Sequence, residues 1–250
     1  MIKTIFDIGM YDAADTVYYL EEGYRVVAVE ANPVLVQRAM ERLHHYVEAG
    51  RLHLVNAAIA ADSGSVELII SGDDLGSSST SRERVAGRNP VASYSVRTIG
   101  IQELVARHGV PYYLRIDIEG ADRHCVLGLR NDTRPRFLSF EMGEDVEELV
   151  THAAAIGYER FKIINQCNFL ELADQHRLYD RVARRLLRLM GYADPRQVRR
   201  AGRFFTVGHS SGPAPWCSGG HWYSAQAVLS RWRRAKGSSE LAAWYDMHAA

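Results

Sequence analysis

Acidic side chains follow the first two apolar segments of the sequence, at the points where those segments end. Asp7 and Gly9 close the first segment, residues 2–8, and Glu30 closes the second, residues 24–29. A glycine at a strand–helix turn lets a nucleotide-like ligand approach the backbone, and an acidic residue after the second strand accepts hydrogen bonds from ribose hydroxyls. These residues predict a nucleotide-like cofactor. Glu30 alone does not separate NAD from S-adenosylmethionine.

The turn after the first segment does separate these two cofactors. Residues 9–16 contain one glycine, whereas a dinucleotide fold has GxGxxG, because a pyrophosphate needs bare backbone amides at the helix N-terminus. Asp12 and Asp15 would repel a pyrophosphate and are compatible with the sulfonium and ammonium groups of S-adenosylmethionine. Alternatively, the two aspartates only place negative charge in the first turn of a helix.

A second group of carboxylates follows the segment 112–116. Asp117 and Glu119 lie at the expected carboxyl end of this strand, where either could hold or deprotonate an acceptor or bind the cofactor's ammonium group. One of them could instead cap the helix predicted at residues 121–129. Together with Glu141 they could hold a divalent cation, but no further ligand pattern supports this, and we predict no metal site.

The catalytic base has several candidates in the sequence. Lys162, one of only three lysines, is expected at a strand end, and His209 follows a strand predicted at residues 204–208, which would be the last of the sheet. Histidine is the usual base near neutral pH. We predict catalytic roles for Asp117, Glu119, Lys162 and His209.

The order of apolar segments predicts the fold class. Strand-like runs alternate with helical patterns, such as residues 13–22 and 34–49, and Asn32 and Pro33 suit the start of the second helix. Further strands are expected at 52–55, 66–70, 112–116 and 136–140, and further helices at 101–108, 121–129 and 145–156. This alternation predicts an α/β fold with a mostly parallel, doubly wound sheet and helices on both faces.

Two segments interrupt the alternation. Residues 71–93 are rich in serine and glycine and predict a loop. Residues 171–203 are rich in arginine and carry a helical leucine stripe, which predicts a surface helix or a substrate-facing cap over about residues 165–203. We expect the loop and this segment to form the acceptor pocket of one domain spanning residues 1–250.

The composition limits the function classes. The 250 residues include 30 Lys+Arg and 30 Asp+Glu, so the formal net charge is zero, which disfavours nucleic acid and anionic membranes as partners. No apolar run is long enough to span a bilayer, residues 1–7 lack a signal peptide's apolar core, and the three cysteines are widely spaced. These features predict a cytoplasmic protein, and a homodimer is compatible with them.

The sequence resembles the FkbM-type S-adenosylmethionine-dependent methyltransferases. Their opening pattern is similar to the placement of Asp7, Gly9 and Thr16, followed by a strand ending in residues 30–33, Glu-Ala-Asn-Pro. Residues 113–122 are similar to the family's Lys-Ile-Asp-x-Glu-Gly-Ala-Glu/Asp signature. Further resemblance lies in residues 161–166, 210–213 and 244–249. The chain departs from the pattern at Ala13, where the family usually has a second glycine.

The resemblance implies a class I, Rossmann-like methyltransferase fold with a C-terminal cap segment and S-adenosylmethionine across the carboxyl ends of strands one, two and four. Its implied activity is O-methylation of a small-molecule or carbohydrate acceptor. The implied cofactor contacts are Asp7, Gly9, Met10, Tyr11, Asp12, Thr16, Glu30, Ala31, Asn32, Asn56, Ala57, Ala58 and Asp117. The alternatives are a methyltransferase acting on RNA or peptide, a non-catalytic S-adenosylmethionine-fold binding module, and an NAD-dependent oxidoreductase, which the missing GxGxxG disfavours.

Overall fold

A seven-stranded sheet forms the centre of the protein in a computed structural model that describes residues 2–71, 90–118, 120–172, 197–236 and 244–250. Its strands are β1 (Thr4–Ile8), β2 (Arg25–Glu30), β3 (Leu52–Asn56), β7 (Tyr113–Ile116), β8 (Phe137–Glu141), β9 (Phe161–Asn165) and β12 (Tyr245–Ala249). Their order across the sheet is β3-β2-β1-β7-β8-β12-β9.

The sheet is mostly parallel, as predicted. Strands β3, β2, β1, β7 and β8 pair in parallel, and β12 runs antiparallel to both of its neighbours, β8 and β9. The chain order reverses next to β1, because β2 lies on one side of it and β7 on the other. This reversal is the place where open α/β sheets bind ligands, outside the carboxyl ends of the strands.

Two smaller sheets lie outside the central one. Strands β4 (Ala58–Ile59), β5 (Gly64–Ser71) and β6 (Pro90–Ile99) form the first, and β10 (Gln197–Arg200) and β11 (Arg203–Thr206) form an antiparallel hairpin. The strand expected at 66–70 therefore exists, but in a different sheet from the one predicted.

Three predictions about these outer segments need correction. Of the loop expected at 71–93, Ser71 ends β5, residues 90–93 open β6, and residues 72–89 lie outside the described residues. The strand expected at 204–208 belongs to the hairpin and is not the last strand of the central sheet, which is β12. Residues 197–203, expected within a helical segment, lie in the β10–β11 hairpin, while 173–196 lie outside the described residues.

Helices cover both faces of the central sheet, as the doubly wound pattern predicts. They are α1 (Ala14–Glu21), α2 (Pro33–Glu48), α3 (Ile101–His108), α4 (Asp122–Val126), α5 (Val146–Ala155) and α6 (Ala225–Lys236). One face packs against α1 and α2 in a core that includes Tyr19, Ala39 and Leu43, and the other packs against α3 to α6 in a larger core that includes Leu104, Leu149 and Trp232. Alternate residues of each strand supply the two cores.

Local sequence explains how the first two helices begin. The Asn32 side chain accepts a hydrogen bond from the Val34 amide at 3.0 Å, and Pro33 occupies the first helical position, as predicted. Helix α1 begins differently, because its N-cap residue Ala13 lies in the left-handed region with φ of 64° and no side chain caps it. A left-handed conformation costs a residue with a Cβ about 1–2 kcal/mol. The glycine usual at this position in the resembled family would avoid that cost.

Candidate active site

Strand pairing brings the predicted site residues to one edge of the sheet. Ile8 pairs with Val29 of β2 and with Ile116 of β7, so the residues that follow, Gly9, Glu30 and Asp117, lie at adjacent strand ends. Glu30 in turn pairs with Asn56 at the end of β3. We refer to this edge, at the carboxyl ends of the parallel strands, as the rim.

Gly9 is required by the close approach of the chain to itself. Its φ is +83°, and a Cβ at this position would lie 1.9 Å from the carbonyl oxygen of Asp117. Only glycine fits such a conformation at such a distance. The structure thus gives a different reason for this glycine from the predicted one, namely the close approach of the backbone after β7, and a ligand contact at Gly9 stays a prediction.

The turn after β1 is tied to Glu30. One carboxylate oxygen of Glu30 accepts a hydrogen bond from the Tyr11 amide at 2.9 Å, and the other accepts one from the Asn32 amide at 2.8 Å. Burial raises the pKa of Glu30, while these two hydrogen bonds oppose the shift. The carboxylate is thus held in one orientation beside the turn, and each oxygen keeps a lone pair for a ligand hydroxyl.

The side chains beyond Glu30 shape the neighbouring part of the rim. The Asn56 amide donates to the carbonyl oxygens of Glu30 and Ala31 at 2.9 and 3.0 Å. Ala57 and Ala58 are buried. The Asn32 side-chain nitrogen is buried without a hydrogen-bond partner among the described residues. A buried amide that lacks an acceptor is costly, so this nitrogen fits a site where a ligand atom accepts its hydrogen bond.

A buried arginine organises the other half of the rim. Arg115 lies in β7 and is 5% exposed, and its guanidinium is surrounded by five oxygen atoms. Nη1 is 3.0 Å from an Asp7 oxygen and 2.7 Å from the Gly9 carbonyl. Nη2 is 2.6 Å from Asp117 and 3.3 Å from Asp15, and Nε is 3.0 Å from the Ser211 hydroxyl.

One cation in this group faces three carboxylates. Burial raises the pKa of Asp15 to about 6 and also raises that of Asp7, while Arg115 opposes both shifts. Asp7 also accepts a hydrogen bond from the Thr16 hydroxyl. The carboxyl groups of this group therefore outnumber its single guanidinium by three to one. We call Arg115 with these three aspartates the arginine cluster, and it leaves the rim negatively charged.

A segment after β11 covers the arginine cluster. We call residues 209–219 the strap. The Ser210 hydroxyl and the Ser211 amide both donate to Asp15, the latter at 2.9 Å. A Cβ on Gly212 would lie 2.5 Å from the ring of Phe169, which explains the glycine in the motif at 210–213. Sequence reasoning singled out this motif by resemblance alone, and the structure gives its physical role.

The four predicted catalytic residues do not all come together. Asp117 lies at the rim with its side chain 33% exposed. His209 lies in the strap, where its Nδ1 is 2.7 Å from a carboxylate oxygen of Asp12. Glu119 lies outside the described residues. The roles of Asp117 and His209 stay predictions.

The predicted rim position of Lys162 is wrong. Lys162 is the second residue of β9, which runs parallel to β8, so the carboxyl end of its strand is three residues away, at Asn165. Its ammonium donates to the carbonyl oxygens of Pro215 and Ser218 in the strap at 2.9 and 2.6 Å. Burial lowers its pKa to about 8. Lys162 holds the strap on the sheet, and we leave it out of the proposed site.

Arg115 and Asp246 are the important residues that sequence reasoning missed. Arg115 was read only as part of a motif, although a charged residue between Leu114 and Ile116 in an apolar strand signals a buried ion that needs partners. Asp246 pairs with Glu141 across β12 and β8 and is 2% exposed. Its burial raises its pKa well above the ordinary range, with Asp117 adding to the shift. No local pattern could have placed a residue so near the C-terminus at the rim.

Within the described ranges, no group of three or more histidine, cysteine, aspartate or glutamate side chains has a geometry that could hold a metal ion. None of the helices in the same part of the chain has both the length and the apolar character needed to cross a bilayer.

Two solved methyltransferase structures match the chain at low sequence identity. The precorrin-6Y C5,15-methyltransferase of Geobacter metallireducens GS-15 has 10% identity and a TM-score of 0.43, and the match covers 100% of this chain and 80% of that one. An S-adenosylmethionine-dependent methyltransferase of Geobacter sulfurreducens, solved with S-adenosyl-L-homocysteine, has 10% identity and a TM-score of 0.39, with coverage of 100% and 84%.

Family comparison gives the more specific result. No curated protein sequence matches the chain. The methyltransferase FkbM domain matches residues 7–181, which is 175 of the 250 residues and includes Asp7, Glu30 and Asp117. The chain therefore belongs to the FkbM methyltransferase domain family.

Proposed function

We propose that this protein is an S-adenosylmethionine-dependent methyltransferase that methylates a hydroxyl group of a small-molecule or carbohydrate acceptor. The observation that carries the proposal is the excess of carboxylates over the single guanidinium in the arginine cluster, next to the oriented carboxylate of Glu30. A negative rim attracts a ligand that carries a sulfonium and an ammonium, and it repels a pyrophosphate.

The residues present fit this cofactor both at its ribose and at its cationic sulfonium and ammonium end. Glu30 offers fixed acceptor oxygens for ribose hydroxyls, and the buried nitrogen of Asn32 offers a donor that has no other described partner. Asp117, one-third exposed at the end of β7, is placed to face the cationic end. The hydrogen bond from the Thr16 hydroxyl to Asp7 ties α1 to the end of β1 and so holds the turn between them. When bound, S-adenosylmethionine supplies an electrophilic methyl group and departs as a neutral thioether.

The protein's own residues fix the relative positions of the methyl donor and the acceptor and exclude water from the space between them. Arg115 holds Asp117 and the Gly9 carbonyl in one arrangement, so the side chains at the rim do not reorganise when the ligands bind. The strap covers the same group from the other side. Fixed alignment of donor and acceptor supplies a large part of the rate of a displacement reaction.

The neighbouring strand ends are suited to a hydroxyl-rich acceptor. Glu141 and Asp246 extend the rim from Asp117 across β8 and β12, and the side-chain amide of Gln166 donates a hydrogen bond to Asp246. Trp244 lies immediately before β12 with 60% of its surface exposed, and its backbone carbonyl accepts a hydrogen bond from the Gln166 backbone N–H at 2.9 Å. An exposed aromatic face beside carboxylate and amide groups can stack on a sugar ring and bind its hydroxyls.

An acceptor screen tests the proposal. The purified protein is incubated with S-adenosylmethionine labelled in the methyl group and with methyl glycosides, a methyl aminoglycoside, a short single-stranded RNA or a peptide. We expect label in the glycosides as an alkali-stable methyl ether. Label only in the amino group would refute O-methylation, label only in the RNA or the peptide would refute a small-molecule or carbohydrate acceptor, and binding without any transfer would favour a binding module.

Replacement of Trp244 by alanine sharpens the screen. If the indole packs on the acceptor, the variant has a KM for the glycoside raised about tenfold, since loss of an aromatic contact of about 1.4 kcal/mol corresponds to that factor, with the affinity for S-adenosylmethionine unchanged. Phe204→Ala is the matched control, because Phe204 is also exposed (67%) but lies on the β10–β11 hairpin. Equal effects of the two substitutions would contradict the assignment of Trp244.

A further inference from the structure

Asp12 and His209 form a hydrogen-bonded pair that the cofactor site described above does not use. His209 Nδ1 lies 2.7 Å from one carboxylate oxygen of Asp12, although 197 residues separate the two in sequence. Both side chains are a little over one-third exposed, so a ligand can reach them. The ring of His209 also lies 5.8 Å from that of Tyr11, the residue whose amide binds Glu30.

Asp12 is held in place by several contacts besides the histidine. Its other carboxylate oxygen accepts a hydrogen bond from the Ala14 amide at 3.0 Å, and its carbonyl accepts one from the Arg42 guanidinium of α2. The His209 amide, for its part, donates to the Thr206 carbonyl at 3.1 Å. The position of the Asp12 carboxylate is therefore fixed, and its hydrogen bond sets the orientation of the His209 imidazole.

This geometry decides which ring nitrogen of His209 carries the proton. An ionised carboxylate only accepts hydrogen bonds, so Nδ1 is the protonated nitrogen of the neutral ring. The lone pair then lies on Nε2, for which no hydrogen-bond partner is found in the described part of the chain. A histidine oriented through Nδ1 by a carboxylate, with Nε2 open, is the arrangement of a general base.

His209 is connected to the arginine cluster through the strap. Ser211, two residues further on, bonds Nε of Arg115, whose Nη2 bonds Asp117 at the rim. Asp12 lies in the turn between Gly9 and α1, so the pair joins this turn to the strap.

We propose that His209 is the general base that receives the proton of the acceptor hydroxyl, and that Asp12 is its positioning residue. This inference rests on the proposed function. As the acceptor oxygen uses a lone pair to form the new C–O bond, its proton passes to Nε2, and the electrons of the breaking C–S bond stay on sulfur. The imidazolium that results is stabilised by the Asp12 carboxylate and then loses the proton to water.

A spectroscopic test examines the pair without any acceptor. Long-range ¹H–¹⁵N correlation spectra of uniformly labelled protein report the tautomer of each neutral histidine. We expect His209, assigned through the signals lost in His209→Asn, to carry its proton on Nδ1. In Asp12→Asn we expect a shift toward the Nε2-protonated form. An Nε2-protonated ring in the wild-type protein would overturn the proposal.

Steady-state kinetics test the catalytic role, with the methyl glycoside that the wild-type protein turns over fastest as the probe. We expect His209→Asn to lower kcat by at least a hundredfold, because general bases contribute about 10²–10⁴ in rate, with the Kd for S-adenosylmethionine within twofold. Asp12→Asn should lower kcat less. Exogenous imidazole should restore part of the activity of His209→Ala. His44→Asn, an exposed histidine on α2, is the matched control.

The outcomes separate this inference from the proposed function. If the wild-type protein methylates the glycoside but His209→Asn keeps kcat within threefold, the base assignment fails and the function stands. If His209→Asn weakens binding of S-adenosylmethionine tenfold and leaves kcat unchanged at saturation, His209 is a cofactor ligand and the proposal is overturned. If the wild-type protein binds no S-adenosylmethionine, the proposed function itself fails.

Discussion

Two buried cations on the same face of the central sheet are compensated in opposite ways. Arg115 and Lys162 lie in one row of residues that runs across β7, β8, β12 and β9 through Ser139 and His248. Arg115 faces three carboxylates. Lys162 faces backbone carbonyls of the strap and lies 4.2 Å from the ring centroid of Trp222.

The two cations therefore have different roles. The surroundings of Arg115 carry an excess of negative charge, whereas Lys162 fixes the strap on the sheet. Carboxylates around Arg115 outnumber its charge and reach the rim, where they can act on a ligand. The groups that bind the ammonium directly are neutral carbonyl oxygens and an aromatic face, so burial lowers the pKa of Lys162 to about 8, and the more distant Glu171 carboxylate only opposes this shift. Arg115 therefore belongs to the functional site and Lys162 to the scaffold.

Removal of Arg115 is expected to have the largest effect. Arg115→Met leaves three buried or half-buried carboxylates without their cation, and breaking a buried ion pair in this way costs about 3–5 kcal/mol of unfolding free energy. We also expect binding of S-adenosylmethionine to be lost, because the turn at Gly9 and Asp117 lose their common partner. Urea unfolding and calorimetric titration measure the two effects.

Arg107→Met is the control for this substitution. Arg107 pairs with Glu103 one helical turn away on α3, and its side chain is 51% exposed. Exposed pairs of this kind contribute at most about 0.5 kcal/mol. A similar loss of stability in both variants would contradict the special role of the arginine cluster.

The pH dependence of stability is expected to come next in size. The pKa of Asp15 is raised to about 6 in the folded state, so its contribution to stability is present below pH 4 and is lost as the pH rises through 6. Relative to Asp15→Asn, the wild-type protein should lose on the order of 3 kcal/mol between pH 4 and 7. Parallel curves of unfolding free energy against pH would show that burial of this carboxyl is not costly.

Removal of Lys162 should cost less and should spare the chemistry. Lys162→Met leaves carbonyls of the strap without a donor but also removes the cost of burying an ammonium, so we expect a net loss of about 2 kcal/mol. Because the folded-state pKa is lowered, wild-type stability should rise relative to the variant between pH 8 and 10. Turnover below the melting temperature should match that of Lys236→Met, an exposed control on α6. Loss of kcat in Lys162→Met alone would place Lys162 in the reaction.

The smallest expected effect concerns the turn that Arg115 holds. Ala13 has φ of 64°, so Ala13→Gly should raise the unfolding free energy by about 1 kcal/mol. Ala14→Gly, one residue later at the start of α1, should lower it by up to about 1 kcal/mol. Thermal unfolding of the two variants would show opposite shifts. A decrease in both would mean that the left-handed conformation is not strained.

The parallel half of the fold could be predicted because its signals are local. Gly9, the ends of β1 and β2, and the cap at Asn32 follow from residue types within a few positions of one another. These signals also placed Glu30 and Asp117 at one edge, since parallel strands end on the same side of a sheet.

The antiparallel end of the sheet and the strap could not be predicted in the same way. Residues 204–208 look like a final strand, but only tertiary contacts show that residues 204–206 belong to a hairpin and that β12 lies between β8 and β9 in the sheet. The contacts of Asp12 with His209 and of Arg115 with Ser211 span 197 and 96 residues. Lys162 was misplaced for a related reason, because a strand pattern does not show which end of the strand reaches the rim.

Isothermal titration calorimetry tests the central claim most directly. Wild-type protein, Glu30→Gln and Lys162→Met are each titrated with S-adenosylmethionine, S-adenosylhomocysteine and NAD. We expect Lys162→Met to bind each of the first two ligands with the same affinity as the wild-type protein, and neither protein to give heat with NAD. We expect Glu30→Gln to bind both sulfur ligands at least tenfold more weakly than the wild-type protein. Absence of binding of either sulfur ligand to the wild-type protein, or binding of NAD, would contradict the account.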